Sequence, residues 1–277
     1  ANQGLLERLW GSGFLPSSHQ GVKLRGSGDP VLYLSDPPGI SRDFRRTMLD
    51  SVQSLNQQHL RQSGDPEIAT RIAQYEMAFR MQASVPDLID MSQESEATFQ
   101  MYGDESRKPG TFAANCLLAR RLLERGVRFV QLFHRGWDQH GGLPSNLPKQ
   151  CHDIDQPQAA LIRDLQQRGL LDDTLVICTS EHGRTPQIDS KPVGAARHHW
   201  SRAYSSVFAG GGLTPGKVVG RTDAIAGDVV DTPISPKDMQ ATAYHLLGYD
   251  EATTIPDQQG RPHPIAGDGK VSRELIG

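Results

Sequence analysis

The feature that most constrains the fold is an alternation of predicted helices and strands that begins after Gly110. Residues 111–125 carry apolar side chains at helical spacing, and the pattern of residues 127–133 is typical of a strand. The same order recurs, with a predicted helix at 155–168 and a predicted buried strand at 174–179. Such an alternation favours an α/β fold in which helices cover the faces of a sheet.

The part of the chain before Gly110 lacks this alternation. Residues 41–63 and 65–82 are rich in Gln and Arg and contain no interior proline, so they predict two long helices. We therefore expect one domain over residues 1–277, interrupted by an all-helical insertion at 41–103.

Weaker patterns predict the remaining elements. A short extended piece is expected at 31–34, within the Gly- and Pro-rich stretch 1–38, and a third helix is expected at 86–99. A further strand is predicted at 204–209 and a last helix at 236–247. These two elements extend the helix–strand alternation towards the end of the chain.

Composition and charge exclude several classes of function. The chain has 277 residues, of which 36% are hydrophobic and 28 are glycine, and this composition is typical of a globular protein. Its formal net charge of −3 gives no basic patch for a nucleic acid, and no apolar run approaches the ~20 residues of a membrane span. Cys116, Cys151 and Cys178 lie far apart and form neither a disulfide framework nor a thiolate metal site.

Residue types that bind metals lie next to three of the predicted strands. The first of these strands is followed by Asp138 and His140, and the second by Glu181 and His182. A third cluster, which contains His199, immediately precedes the strand predicted at 204–209. Imidazole and carboxylate groups are ligands for divalent cations, and ligands collect at strand ends in α/β sheets. Each residue alone equally fits a turn or a surface hydrogen bond, but the three clusters together predict a site for Zn²⁺, Mn²⁺, Mg²⁺ or Ca²⁺.

Other residues have two interpretations. Arg184 is a candidate catalytic residue because its planar guanidinium suits an anionic oxygen, although a surface arginine in a loop fits equally well. The glycines at 210–212 favour a turn over a phosphate loop, since no Gly-Lys-Ser/Thr follows. Asp155 suits a helix N-cap better than a metal ligand. A serine hydrolase is disfavoured because no G-x-S-x-G elbow surrounds Ser180.

Several motifs, taken in order, resemble one bacterial family. They are GWDQHG at 136–141, GLLDDTLV at 169–176, EHGRTP at 181–186, HW at 199–200 and AGGG at 209–212. The chain resembles the sulfatase-like, planctomycete-type proteins grouped as domain of unknown function 1501 (DUF1501), mainly over residues 110–277. That family is itself similar to the alkaline phosphatase superfamily.

This resemblance implies a three-layer αβα fold and hydrolysis of a sulfate or phosphate ester, of a small molecule or a glycan, at a bimetallic site. By the same resemblance, Asp138, His140 and His199 would hold one metal ion. Glu181 and His182 would contribute to the second. The residues leave localisation open, and the resemblance alone suggests export to the periplasm.

The chain departs from the superfamily pattern in several places. Asp138 and His140 are closer in sequence than the superfamily's ligand pair, and Glu181 replaces an aspartate. His198 stands where relatives often have another residue, so it is either a supporting residue or an alternative ligand. Because residues 1–40 contain no strand followed by a nucleophile, we expect the nucleophile segment to lie outside this chain. A non-catalytic binding or scaffold domain with a degenerate metal site therefore remains the alternative.

Overall fold

The computed structural model describes most of the chain beyond residue 38. The described residues are 12, 15, 19–25, 36, 39–191, 193–257 and 259–276. The extended piece predicted at 31–34 lies outside them. The chain divides into two compact units, residues 1–100 with 104–131 and residues 101–103 with 132–277.

The described part of the first unit is helical. Its elements are α1 (Arg42–Ser63), α2 (Pro66–Ile89), a 3₁₀ turn (Met91–Gln93), α3 (Glu96–Tyr102), a 3₁₀ turn (Asp104–Arg107) and α4 (Phe112–Glu124). The last two residues of α3 belong to the second unit. α1 begins where the Ser41 side chain accepts a hydrogen bond from the Phe44 N–H, and it ends at Gly64, whose φ is 69°. The helices predicted at 41–63 and 65–82 are thus present, and the second is longer than predicted.

The third helix predicted before Gly110 is divided. Residues 86–89 end α2 and α3 begins at Glu96, so the helix predicted at 86–99 is wrong as a single element. The break follows from Asp90, whose side chain accepts the Ser92 N–H and caps the 3₁₀ turn. This local side-chain hydrogen bond takes the place of the backbone hydrogen bonds that would have continued α2.

Buried ion pairs and hydrogen bonds tie α4 to Glu94, which follows the first 3₁₀ turn, and to the end of α2. Glu94 accepts hydrogen bonds from Arg120 and Arg121, each at 2.5 Å, and its side chain is 7% exposed. Arg121 also donates to the carbonyl oxygens of Leu88 at 2.7 Å and Asp87 at 2.8 Å, at the last turn of α2. Both guanidinium groups are buried, and Arg120 also donates to the Glu124 carboxylate at 2.7 Å, so Glu94 is the carboxylate that the two arginines share.

The second unit combines helices with small antiparallel sheets. Its helices are α5 (Leu143–Gln167), α6 (Pro236–Leu246) and α7 (Arg273–Ile276). Its strands are β1 (Val176–Cys178), β2 (Gly183–Arg184), β3 (His199–Trp200), β4 (Val207–Ala209), β5 (Arg221–Thr222), β6 (Val229–Asp231), β7 (Thr254–Pro256) and β8 (Pro262–Pro264). The described strands pair as β1–β4, β2–β3, β5–β6 and β7–β8. This mixture of helices and small sheets agrees with an α/β chain.

The predicted strands are only partly present. The strand predicted at 127–133 is wrong, because no strand ladder involves these residues, all of which the structure describes. Those at 174–179 and 204–209 shorten to β1 and β4, which pair with Val176 opposite Ala209. An apolar pattern marks residues suited to a sheet, but a strand also needs a partner for its backbone N–H and C=O groups.

Helix α5 begins much earlier than predicted. It starts after Gly142, whose φ is 62°, so Asp155 lies inside the helix and its predicted N-cap role is wrong. Gly142 and Leu143 donate backbone hydrogen bonds to the carbonyl oxygens of Val193 and Ala195. These contacts with a distant loop fix where the helix starts. None of the helices in the described part of the chain combines the length and apolarity needed to cross a bilayer.

Replacing Ser235 by alanine should destabilise the protein by about 0.5–2 kcal/mol. The Ser235 side chain accepts the Asp238 N–H, and the Asp238 carboxylate accepts the Ser235 N–H at 2.8 Å, which forms a capping box at α6. Urea denaturation of Ser235→Ala measures the loss, and Ser235→Thr, which retains a capping oxygen, should stay close to wild type. Equal losses in both variants would contradict the capping role.

Candidate metal centre

Asp138, His140 and His199 bring their donor atoms together in the second unit. Oδ1 of Asp138 lies 2.9 Å from Nε2 of His140 and 2.8 Å from Nε2 of His199, and the two imidazole nitrogens are 3.2 Å apart. We call these three residues the Asp–His cluster. Their side chains are between 44% and 65% exposed, so the cluster is open to solvent.

Two local structures position the cluster. Strands β2 and β3 pair in antiparallel register with Arg184 opposite His199, which places these two side chains on one face of the ladder. Asp138 and His140 lie on a tight loop in which the His140 N–H donates to the Asp138 carbonyl at 3.1 Å. The buried Gln139 anchors this loop, because its side chain donates to the Gly136 carbonyl at 3.2 Å.

Arg184 places a positive charge beside the Asp138 carboxylate of the cluster. Its Nη2 donates to Oδ1 of Asp138 at 2.8 Å. Hydrogen bonds from His199 and Arg184 hold the pKa of the Asp138 carboxyl well below its ordinary value. Asp138 is therefore ionised at neutral pH, and it offers an anionic oxygen to a cation.

His182 and Glu181 lie beside the cluster rather than in it. The His182 ring packs against His199, with 4.4 Å between ring centroids. Its Nδ1 donates to the Gly183 carbonyl at 2.9 Å. The Glu181 carboxylate is 3.5 Å from Nε2 of His182, and its side chain is 77% exposed. Of the five ligands named from sequence, three converge on one point and these two form a flanking pair.

A second layer of polar residues supports His140. Its Nδ1 lies 3.0 Å from Nδ1 of His198, and Nε2 of His198 lies 3.2 Å from Oδ2 of Asp189. Sequence reasoning named His198 with its role undecided and missed Asp189. Nothing in the sequence around Asp189 indicates its contact with His198. The two residues are nine positions apart, and they meet because the segment between them reverses direction at the Asp189–Ala196 bridge.

The Asp–His cluster fits a divalent cation by its donor chemistry. Two imidazole nitrogens and one carboxylate oxygen are ligand types of Zn²⁺ and of several transition metals. Atoms bound at about 2.0–2.2 Å to one ion lie roughly 2.8–3.1 Å apart at right angles and roughly 3.3–3.6 Å apart at tetrahedral angles. The three separations in the cluster, 2.8, 2.9 and 3.2 Å, are close to the right-angled values, so tetrahedral coordination would require the three atoms to move slightly apart. Glu181 and His182 supply two donors, which is fewer than a closed tetrahedral site needs.

Comparison with known proteins identifies the family. A family model described as "Protein of unknown function (DUF1501)" matches residues 1–276, so the chain belongs to the DUF1501 family. No curated protein and no solved structure matches the chain.

Proposed function

We propose that the Asp–His cluster binds one divalent cation and that the bound site hydrolyses a sulfate or phosphate ester of a small molecule or a glycan. The observation that carries the proposal is the convergence of Asp138, His140 and His199 on one point, with Arg184 beside them. The family resemblance supplies the ester class.

The electrostatics of the cluster support a bound cation. Asp138 is ionised, and its Oδ1 faces the Nε2 atoms of two imidazoles at hydrogen-bond distance. In the metal-free protein each Nε2 can donate a proton to this oxygen, as His199 does at 2.8 Å. A divalent cation would replace these protons and bind the same three donor atoms at once.

The exposed side of the cluster leaves room for a substrate. Arg184 has a forked guanidinium, and one nitrogen of the fork, Nη2, is committed to Asp138. Its Nη1 makes a long 3.4 Å contact with the Arg197 carbonyl, so this edge of the fork could turn to an anionic ester oxygen. A bound divalent ion would supply Lewis-acid polarisation of the same ester group. Arg184 and the cation together would offset charge that develops on the sulfuryl or phosphoryl oxygens.

We also propose that DUF1501 is related to the sulfatase-like branch of the alkaline phosphatase superfamily and shares its three-layer αβα architecture. The support is the order of the motifs along the chain and the origin of the ligands in separate loops near strands. An experimental structure of the family tests this relation, and a central sheet without helices on both faces would contradict it.

Metal titration tests the binding half of the proposal. Protein freed of metal with a chelator is titrated calorimetrically with Zn²⁺, Mn²⁺ and Mg²⁺, and we expect one ion to bind per chain. The double variant His140→Ala, His199→Ala should lose this binding because one ligand of three remains. His263→Ala is the matched control, since His263 also pairs with a carboxylate, that of Asp257 at 3.1 Å, outside the cluster.

Hydrolysis assays test the catalytic half. Wild type, double variant and control are assayed with an aryl sulfate and an aryl phosphate in the presence of each metal. We expect only feeble turnover by wild type and by the His263→Ala control, because no nucleophile is assigned beside the cluster, and none by the double variant. Metal binding without turnover of either ester would favour the non-catalytic binding or scaffold domain. Absence of specific metal binding would overturn the proposal.

A further inference from the structure

We propose that Arg197 is a positioning residue of the candidate metal centre, because its guanidinium fixes the β2–β3 hairpin and its backbone joins this hairpin to the loop of Asp138 and His140. This inference rests on the proposed metal function and deepens it. It names the residue that keeps ligands from two separate segments within reach of one cation. A guanidinium has no lone pair for a cation, so Arg197 is not itself a ligand.

The β2–β3 ladder is too short to hold its own geometry. Each strand has two residues, and Gly183, the first residue of β2, has no side chain to pack. Isolated two-stranded ladders are marginally stable in water unless other contacts support them. The His199 side chain is more than half exposed, so its position depends on contacts that the chain makes beyond the ladder.

The guanidinium of Arg197 supplies such contacts. Its Nε donates to the Thr185 carbonyl oxygen at 2.6 Å, and its Nη2 donates to the Pro186 carbonyl oxygen at 3.3 Å. Thr185 directly follows β2, and its N–H donates to the His198 carbonyl oxygen at 2.9 Å. Hydrogen bonds from a charged donor are stronger than those between neutral groups. The side chain therefore extends the pairing of the two strands past the end of the ladder.

The shape of the guanidinium matters here more than its charge. Among the residues that the structure describes, the fork of Arg197 is paired with carbonyl oxygens and with no carboxylate. Two nitrogens in one rigid plane meet the carbonyl oxygens of two consecutive residues, which a single ammonium group does not reproduce. Arg197 is half-buried, so these hydrogen bonds are partly shielded from water.

The backbone of Arg197 joins the hairpin to the other segment of the cluster. Its N–H donates at 3.4 Å to the carbonyl oxygen of Gln139, which lies between the two cluster residues of its loop. Its carbonyl oxygen accepts Nη1 of Arg184, also at 3.4 Å. Both hydrogen bonds are long and therefore weak, so they depend on the guanidinium to fix this residue. His199 follows two residues later, so Arg197 connects both segments that carry the ligands.

Two substitutions separate the fork from the charge. Arg197→Lys keeps a positive charge on a long stem but offers one compact donor group, and Arg197→Met removes both the charge and the donors. Arg202→Met is the matched control. Arg202 lies in the same stretch of chain and pairs with Asp228 at 2.5 Å in an exposed ion pair. Its replacement removes a cation near β3 and leaves the contacts of Arg197 in place.

The first measurement is amide hydrogen exchange of the metal-free protein, followed by NMR. The Thr185 N–H should exchange about 10-fold or more faster in both Arg197 variants than in wild type and in Arg202→Met. The N–H of the buried Thr242 in α6 should exchange at the wild-type rate in all four proteins. A residue that only stabilised the fold would change the exchange of both amides.

The second measurement is calorimetric titration of the same four proteins with Zn²⁺, each shown to be folded by circular dichroism. Residues that hold metal ligands from outside the coordination shell typically change metal affinity by about 10–100-fold when they are replaced. We expect a loss in this range in both Arg197 variants, with the number of ions bound per chain unchanged. Arg202→Met should bind Zn²⁺ as tightly as wild type.

The outcomes keep this inference distinct from the proposed function. If wild type binds no Zn²⁺ but the exchange of the Thr185 N–H follows the expectation, the proposed function fails and the role of Arg197 in the hairpin stands. Wild-type Zn²⁺ affinity in Arg197→Lys would assign the effect to charge and overturn the role of the fork. Equal acceleration of the Thr185 and Thr242 amides, or unchanged exchange in Arg197→Met, would overturn the proposal as a whole.

Discussion

Glu94→Gln is expected to destabilise the protein by about 3 kcal/mol, because it leaves the buried Arg121 guanidinium without its carboxylate and leaves Arg120 with that of Glu124. Glu94 accepts from Arg120 and Arg121 through both of its oxygens, and all three side chains are buried. A glutamine would keep the shape but direct an N–H₂ donor towards one of the two guanidinium groups, which only donate. Urea denaturation monitored by circular dichroism measures the loss.

The matched control for this prediction lies two residues along the chain. Glu96 pairs with Arg107 at 2.6 Å in an exposed ion pair, so Glu96→Gln should cost no more than about 1 kcal/mol. A loss in Glu94→Gln as small as that in Glu96→Gln would show that the buried network does not hold α4 against α2.

The effect of Glu94→Gln should also depend on pH. Burial raises the pKa of the Glu94 carboxyl, but hydrogen bonds from Arg120 and Arg121 lower it more, and the net change is downward. A carboxyl with a lowered pKa contributes stability above the pKa of the unfolded chain and loses it as the pH falls through the folded value. The difference in the free energy of unfolding between wild type and Glu94→Gln should therefore be largest at neutral pH. It should decrease in acid, at pH values below the ordinary pKa of a glutamate.

Gly183→Ala is expected to disrupt the β2–β3 ladder and, with it, metal binding by the Asp–His cluster. A Cβ at Gly183 would lie 2.0 Å from the Ala203 carbonyl oxygen and 3.1 Å from that of Trp200, and both are backbone atoms that cannot turn away. Overpacking of this kind costs about 1–3 kcal/mol or more. Because Gly183 is paired with Trp200 and Ala203 lies three residues after it, relief of the clash must shift β2 or the segment that follows β3, and we expect this shift to disturb the position of His199.

Gly141→Ala is the local control for this prediction. Gly141 directly follows His140, and a Cβ there would meet the Val193 carbonyl oxygen at 3.5 Å, an ordinary van der Waals distance. We expect Gly183→Ala to bind Zn²⁺ far more weakly than wild type in calorimetry and to unfold at lower urea, while Gly141→Ala does neither. Unchanged binding by Gly183→Ala would show that the ladder does not position the cluster.

Local interactions explain why several elements could be predicted from sequence. Helices α1, α4 and α6 follow from capping side chains and apolar spacing, which act within a few residues. Asp138, His140 and His199 were named from residue type and from their place beside predicted strands. That reasoning identified the three converging residues, although the strand expected before Asp138 is absent from the described residues.

Interactions between distant residues decide the remaining features. Residues 127–133 have an apolar pattern but no strand partner, and α5 begins at Leu143 because the 193–195 loop accepts hydrogen bonds from its first residues. The contact of Asp189 with His198 likewise requires the reversal at the Asp189–Ala196 bridge. A sequence specifies residue type and local spacing directly, whereas the partner of a strand, a helix start or an imidazole is set by which segments the folded chain brings within hydrogen-bond distance.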